Sequence, residues 1–283
     1  MKKFLFRSTI FIALSFLAQY VFYIAVKTTL DKKSQFRLTR YFRSPEHKFF
    51  VVGNSRAVNS VNEKYARQQL RMDLINLSFN GEPYKNVLNM VDDINSKNKN
   101  STIFFEISCL SNTNFDDEYA YYIPNSPIIG KEFSGTPYDW LPMLRLNNEL
   151  FLRNIYYLNK SDNDWVNRNT ISINIINHIK ADSLYTIFPD KKVLADRLAE
   201  VQKRCDENGI RLIFFLAPYY PAYRYKIADY DSTIAYMGSM ANKYRFIDLN
   251  KIKLSNEMYA DRVHTNYKGS ELLTLNLINL SRN

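Results

Sequence analysis

A chain of 283 residues that is 46% hydrophobic, with seven glycines and nine prolines, can bury one sizeable core and lacks the composition of a disordered, collagenous or disulfide-rich protein. Its formal net charge of +10 is concentrated: nine lysines and arginines against Asp31 alone fall in the first 43 residues, a surplus of +8 that leaves +2 for the other 240. A nearly neutral body is not a nucleic-acid surface, and nucleic acid is excluded as a partner.

Between Arg7 and Lys27 the run STIFIALSFLAQYVFYIAV carries no charge over nineteen residues, about 28 Å of helix and so about the thickness of a bilayer core. It is longer than a signal-peptide core and lacks a small-x-small cleavage site, so residues 1–27 are expected to be an uncleaved transmembrane anchor. Six basic residues follow the run and three precede it, a count that by itself directs the body to the cytoplasm. Residues 28–47 read as a charged juxtamembrane linker, and residues 48–283 as the folded body.

In the body, apolar runs alternate in type. Lys48 to Gly53 predicts a strand, followed by a polar helical stretch through Arg71. Asp73 to Phe79 predicts a second strand, and Val87, Leu88, Val91 and Ile94 follow at helical spacing. Thr102 to Ile107 is a third strand. After a long insertion, about 111–189, Lys191 to Asn208 is an amphipathic helix stopped by Gly209. Ile210 to Ala217 and Arg245 to Leu249 are the fourth and fifth strands, separated by a mostly helical segment from Ile227 to Tyr244. Ser270 to Leu280 closes the chain as a helix. Strands separated by helices predict an α/β fold with a parallel sheet covered on both faces, in which sites form at the carboxyl ends of the strands.

Two segments belong at that edge. The first strand stops at Gly53-Asn54-Ser55-Arg56, and Asp261-Arg262-Val263-His264-Thr265-Asn266-Tyr267-Lys268-Gly269 precedes the closing helix. A serine nucleophile needs a base, and an imidazole needs a carboxylate to fix its tautomer and balance its charged form. Of the three histidines, His47 precedes the first strand at the opposite edge and His178 lies in the insertion without a carboxylate in motif spacing. Ser55, His264 and Asp261 are therefore the candidate catalytic group. Cys109 and Cys205 are too few and too scattered for a metal site, whether they pair is left open, and no metal or other cofactor is expected.

GNSR after the first strand, a glycine after the second and D-x-x-H-x-N-x-x-G before the last helix together resemble the SGNH (GDSL-like) hydrolase superfamily, over roughly Phe49 to Leu280. The resemblance implies a flavodoxin-like three-layer α/β/α sandwich, with Ser55 as nucleophile, Asp261 and His264 completing the triad, and the backbone N–H groups of Ser55 and Gly81 forming an oxyanion hole. The third block departs from the pattern: Glu106-Ile107-Ser108-Cys109 stands where the family carries an oxyanion asparagine, which leaves Asn112, Asn114 or Asn80 as substitutes.

In arrangement the chain resembles the membrane-tethered acyl-transfer proteins of bacterial envelopes, which work beside a polytopic membrane-bound O-acyltransferase. That resemblance implies an inner-membrane protein with an extracytoplasmic domain, against the charge count, and a serine acyltransferase or esterase with a carbohydrate acceptor. The alternative is a non-catalytic accessory protein scaffolding an envelope-modification complex. The insertion carries Tyr119, Tyr121, Tyr122, Tyr138, Trp140, Tyr156, Tyr157 and Trp165, which either face sugar rings or pack a helical cap onto the sheet. Arg56, Tyr219 and Tyr220 are candidates for substrate binding; Tyr219, Tyr220, Tyr223 and Arg224, after the fourth strand, either form an aromatic and basic rim or pack as core or lid.

Overall fold

The computed structural model describes residues 1–111, 117–160, 166–181, 183–240 and 243–282. In chain order the helices and strands are α1 (Lys2–Lys33), α2 (Arg37–Arg43), β1 (Phe49–Val52), α3 (Ser55–Ser60), α4 (Glu63–Gln68), β2 (Leu74–Asn76), α5 (Tyr84–Lys97) and β3 (Thr102–Glu106). There follow α6 (Pro127–Glu132), α7 (Pro137–Trp140), α8 (Glu149–Tyr156), α9 (Ile173–Ala181), α10 (Lys191–Asp206), β4 (Arg211–Leu216), α11 (Pro221–Arg224), α12 (Tyr230–Ser239), β5 (Phe246–Asp248) and α13 (Tyr267–Arg282). They form two compact units, one of Met1–Ser44 with Asp117–Asn163, the other of Pro45–Asp116 with Asp164–Asn283.

The larger unit is an α/β domain. Its five strands are parallel, in the order β2-β1-β3-β4-β5, the doubly wound order of flavodoxin-like sheets. Alternation along each strand makes two apolar faces. Val51, Phe104 and Ile213 lie in register, and with Phe215 and Ile247 they share a core with Ala57 and Val61 from the α3 region and Leu273, Leu277 and Ile278 of α13. The intervening residues Phe50, Ile103, Phe105, Leu212 and Phe214 are buried as well, and α5 and α10 pack on each other and against the sheet. Both faces are covered, which explains near-continuous apolar runs where a one-sided sheet would alternate. Strand order reverses between β1 and β3, so the carboxyl end of β1 is the switch point where such sheets form sites.

The smaller unit corrects two expectations. Residues 28–47, expected as a charged linker, are largely helical: α1 continues to Lys33, supported by the i,i+4 pair of Lys27 and Asp31 and by Lys32 and Lys33 in the last turn, and α2 follows. Phe36, Leu38 and Tyr41, set among arginines in the sequence, are fully buried. The insertion is also divided: residues 117–163 belong with α1 and α2, and only the remainder joins the sheet unit. Tyr119, Tyr121, Tyr122 and Tyr157 are interior residues of this collar, Phe36 stacking on Tyr157 and the Tyr122 hydroxyl bonding Thr39 and Asn154. Packing, not a sugar platform, accounts for those four rings; Trp140 and Tyr156 are exposed, and Trp165 lies outside the described residues. α1 is long and apolar enough to cross a membrane, and its large apolar side chains from Phe4 to Phe22 are exposed.

Candidate active site

The end of β1 is shaped by Gly53. Its φ of +151° disfavours a side chain, and a Cβ there would meet the Glu106 Cβ at 2.7 Å and the Ala57 Cβ at 3.1 Å, so β1 lies close against β3 at the point where the chain turns into α3. Asn54 then caps α3, its side chain accepting the Arg56 N–H at 3.0 Å and donating to the Ser108 hydroxyl at 3.1 Å. Ser55, the first residue of the helix, is half-buried and faces the loop that precedes α13.

That loop is held from within. One Asp261 carboxylate oxygen accepts the N–H groups of Val263 (2.8 Å) and His264 (2.9 Å), and the other is 2.8 Å from His264 Nδ1. His264 Nε2 is 2.8 Å from Ser55 Oγ. With Nδ1 donating to the carboxylate, Nε2 is free to accept the serine proton, the tautomer a nucleophile needs. Burial pulls the Asp261 pKa upward, but the hydrogen bond and charge of His264 and the two backbone donors outweigh it, so the carboxyl is held below its ordinary range. The sequence brought these three side chains to one edge; the structure joins them in a continuous chain.

The remaining residues of the D-x-x-H-x-N-x-x-G segment have structural roles. Thr265 donates to the Asn59 carbonyl at 2.6 Å and Asn59 donates to the Ser55 carbonyl at 2.8 Å, a staple from the histidine loop to the serine helix. The Asn266 side chain accepts the N–H groups of Lys268 and Gly269 as the cap of α13 and donates to the Glu257 carbonyl. A Cβ on Gly269 would lie 2.3 Å from the Met258 carbonyl oxygen, so only glycine lets the helix approach that strand of loop.

The other predicted residues separate into groups. Gly81 sits in an exposed turn after β2 with φ of +70°, and Asn80 beside it is half-buried. The turn is tied to the serine loop by the Phe79 N–H, 3.3 Å from the Gly53 carbonyl and 3.1 Å from the Glu82 carboxylate. Asn112 and Asn114 lie outside the described residues. Arg56, Tyr219 and Tyr220 are all buried, which corrects their assignment to substrate binding. The Arg56 guanidinium stacks on Tyr219 at 3.3 Å from the ring centroid, donates to the Ala217 carbonyl and stands 3.5 Å from Glu106. Tyr220 backs the triad loop: its N–H donates to the Arg262 carbonyl at 3.0 Å and its ring meets Tyr259 edge-on. Cys109 and Cys205 are free and buried; burial raises both thiols, that of Cys205 to about 12. Among the described residues no group of three or more His, Cys, Asp or Glu side chains is placed to hold a metal ion.

Sequence reasoning missed Glu106. This fully buried carboxylate accepts the N–H and hydroxyl of Ser108 on one oxygen and the Ala217 N–H at 3.2 Å on the other, and it neutralises Arg56. The available signal was a lone acid ending the apolar run TIFFE, which is exceptional unless the charge is partnered. No protein-family model matches the chain, and no curated protein matches it.

Proposed function

We propose that this chain is a membrane-anchored serine acyltransferase or esterase of the SGNH type, acting on envelope or extracellular polysaccharide. The observation that carries the reading is the hydrogen-bonded chain Ser55–His264–Asp261 at the switch point of a parallel sheet, with 2.8 Å at both links. In this reading Ser55 Oγ attacks the acyl carbonyl carbon while its proton passes to His264 Nε2, and Asp261 balances the imidazolium. Backbone N–H groups of Ser55 and Gly81 take the developing oxyanion, each such donor being worth about two to three orders of magnitude in rate. Collapse of the tetrahedral adduct breaks the bond to the leaving alcohol, which takes the proton from His264 and leaves acyl-Ser55. An acceptor hydroxyl or water then attacks the ester, with His264 as base. The sequence resemblance supports a carbohydrate acceptor, an extracytoplasmic domain of a bacterial inner-membrane protein and a polytopic O-acyltransferase as partner.

Turnover of an activated acetyl ester, with and without polysaccharide acceptor, tests the proposal. Ser55→Ala and His264→Ala should each lose several orders of magnitude with unchanged melting, because either removes the same activated nucleophile. One observation favours the accessory reading instead: Glu106, locked into interior bonds, stands in the third block in place of an oxyanion asparagine. Wild-type protein that turns over no ester, together with restoration of envelope modification by Ser55→Ala, would decide for that alternative.

A further inference from the structure

The collar unit carries a second site, which rests on reading α1 as a membrane span. A pocket of about 370 Å³ opens between α1 and the collar, lined by Tyr20, Tyr23 and Lys27 on the helix and by Asp139, Pro142 and Arg145 opposite. Its depth follows from helix geometry. From Arg7 to Lys27 the helix rises about 30 Å, the thickness of the hydrocarbon layer, so with Arg7 at one interface the Tyr20–Lys27 turn lies at the other. Coverage changes at the same level: Val21, Phe22 and Ile24 are exposed, whereas Tyr23, Lys27 and Leu30 are buried. Trp140, 78% exposed and adjacent to Asp139, adds the aromatic side chain that interfaces favour.

The charges in this pocket are not equivalent. Lys27 is engaged with Asp31 and with Asn125. Arg145 gives Nε and one terminal nitrogen to the Tyr138 carbonyl, at 3.1 and 2.8 Å, and its other terminal nitrogen lies 3.4 Å from the Tyr23 hydroxyl; among the described residues no carboxylate pairs with it. Asp139 accepts the Gly135 N–H at 2.8 Å and has no cationic partner among the described residues. One uncompensated guanidinium and one uncompensated carboxylate thus line a single pocket at headgroup depth. We propose that the pocket binds a phospholipid with a zwitterionic phosphate and primary-ammonium headgroup, the phosphate on Arg145 and the ammonium on Asp139, with the acyl chains along the exposed flank of α1. Guanidinium is the side chain best matched to phosphate oxygens, and a primary ammonium, unlike a quaternary one, donates hydrogen bonds to a carboxylate.

The test is native mass spectrometry of the full chain released from nanodiscs of phosphatidylcholine doped equally with phosphatidylethanolamine and phosphatidylglycerol. Wild type should retain phosphatidylethanolamine at least about tenfold over either other lipid, Arg145→Gln should lose that retention, and Asp139→Asn, which keeps an acceptor for Gly135, should shift the preference toward phosphatidylglycerol. Soluble glycerophosphoethanolamine should not displace the lipid; displacement at equal concentration would overturn the membrane source. Equal retention by wild type and a folded Arg145→Gln, or an unchanged preference in Asp139→Asn, would overturn the pocket assignment. Wild type that fails to enter nanodiscs would instead overturn the anchor reading beneath it.

Discussion

Replacing Glu106 with glutamine keeps the shape of the side chain and removes the charge that the interior is built around. The carboxylate serves donors on both oxygens, Ser108 on one and Ala217 on the other, and stands 3.5 Å from Arg56 Nε. An amide has one acceptor oxygen, so its NH₂ must confront either the Ser108 or the Ala217 N–H. Arg56, only 5% exposed, loses its anion, and its Nε and one terminal nitrogen already lack a hydrogen-bond partner. Removing one member of a buried pair costs about 3–5 kcal/mol, because the other charge stays behind uncompensated. At roughly 2–4 °C per kcal/mol for a domain of this size, the melting point should fall by about 6–20 °C. Circular dichroism melts of the full chain in detergent measure this. Arg56→Met should be destabilising as well, and the double variant should cost at least about 1.5 kcal/mol less than the two singles added together, since it leaves no lone charge. A Glu106→Gln variant that melts within 2 °C of wild type, or strictly additive singles, would refute the assignment of Glu106 and Arg56 as one buried unit.

Gly53→Ala combines a disfavoured φ with a 2.7 Å approach to the Glu106 Cβ and should destabilise by about 2–5 kcal/mol in denaturant titration while also lowering ester turnover, because the same turn carries Ser55. Asp261 has a folded-state pKa held below its ordinary value by His264 and two backbone donors, after desolvation is overcome, so its contribution to stability is present above about pH 4 and is lost as pH falls through the depressed value. The stability difference between wild type and Asp261→Asn should therefore shrink below about pH 4, as measured by chemical denaturation at stepped pH; a difference that grows on acidification would contradict the sign of the shift.

The sheet was legible because two-sided burial writes strands as unbroken apolar runs, and Gly53 and Gly209 punctuate them. The triad was legible because histidine is scarce here and the Asp261–His264 spacing fits one loop. The collar was not, since Phe36, Leu38 and Tyr41 alternate with arginines and their burial depends on residues about a hundred positions later. Tyrosines in the insertion gave no reading of their own, because the same ring can pack or bind. Arg56 looked like a ligand-binding cation for a related reason: its neutralising partner, Glu106, is fifty residues away, and a pair so separated leaves no local pattern.

Whether Ser55 is an activated nucleophile is the point on which the proposed chemistry turns. Labelling the full chain with a fluorophosphonate and mapping the adduct by peptide mass spectrometry measures that without knowledge of the donor or the acceptor. The adduct should fall on Ser55, vanish in Ser55→Ala, and form at least about a hundredfold more slowly in His264→Ala, where the hydroxyl remains but its base does not. A folded wild type that takes no label at Ser55, or a His264→Ala variant labelled there at the wild-type rate, would contradict the triad.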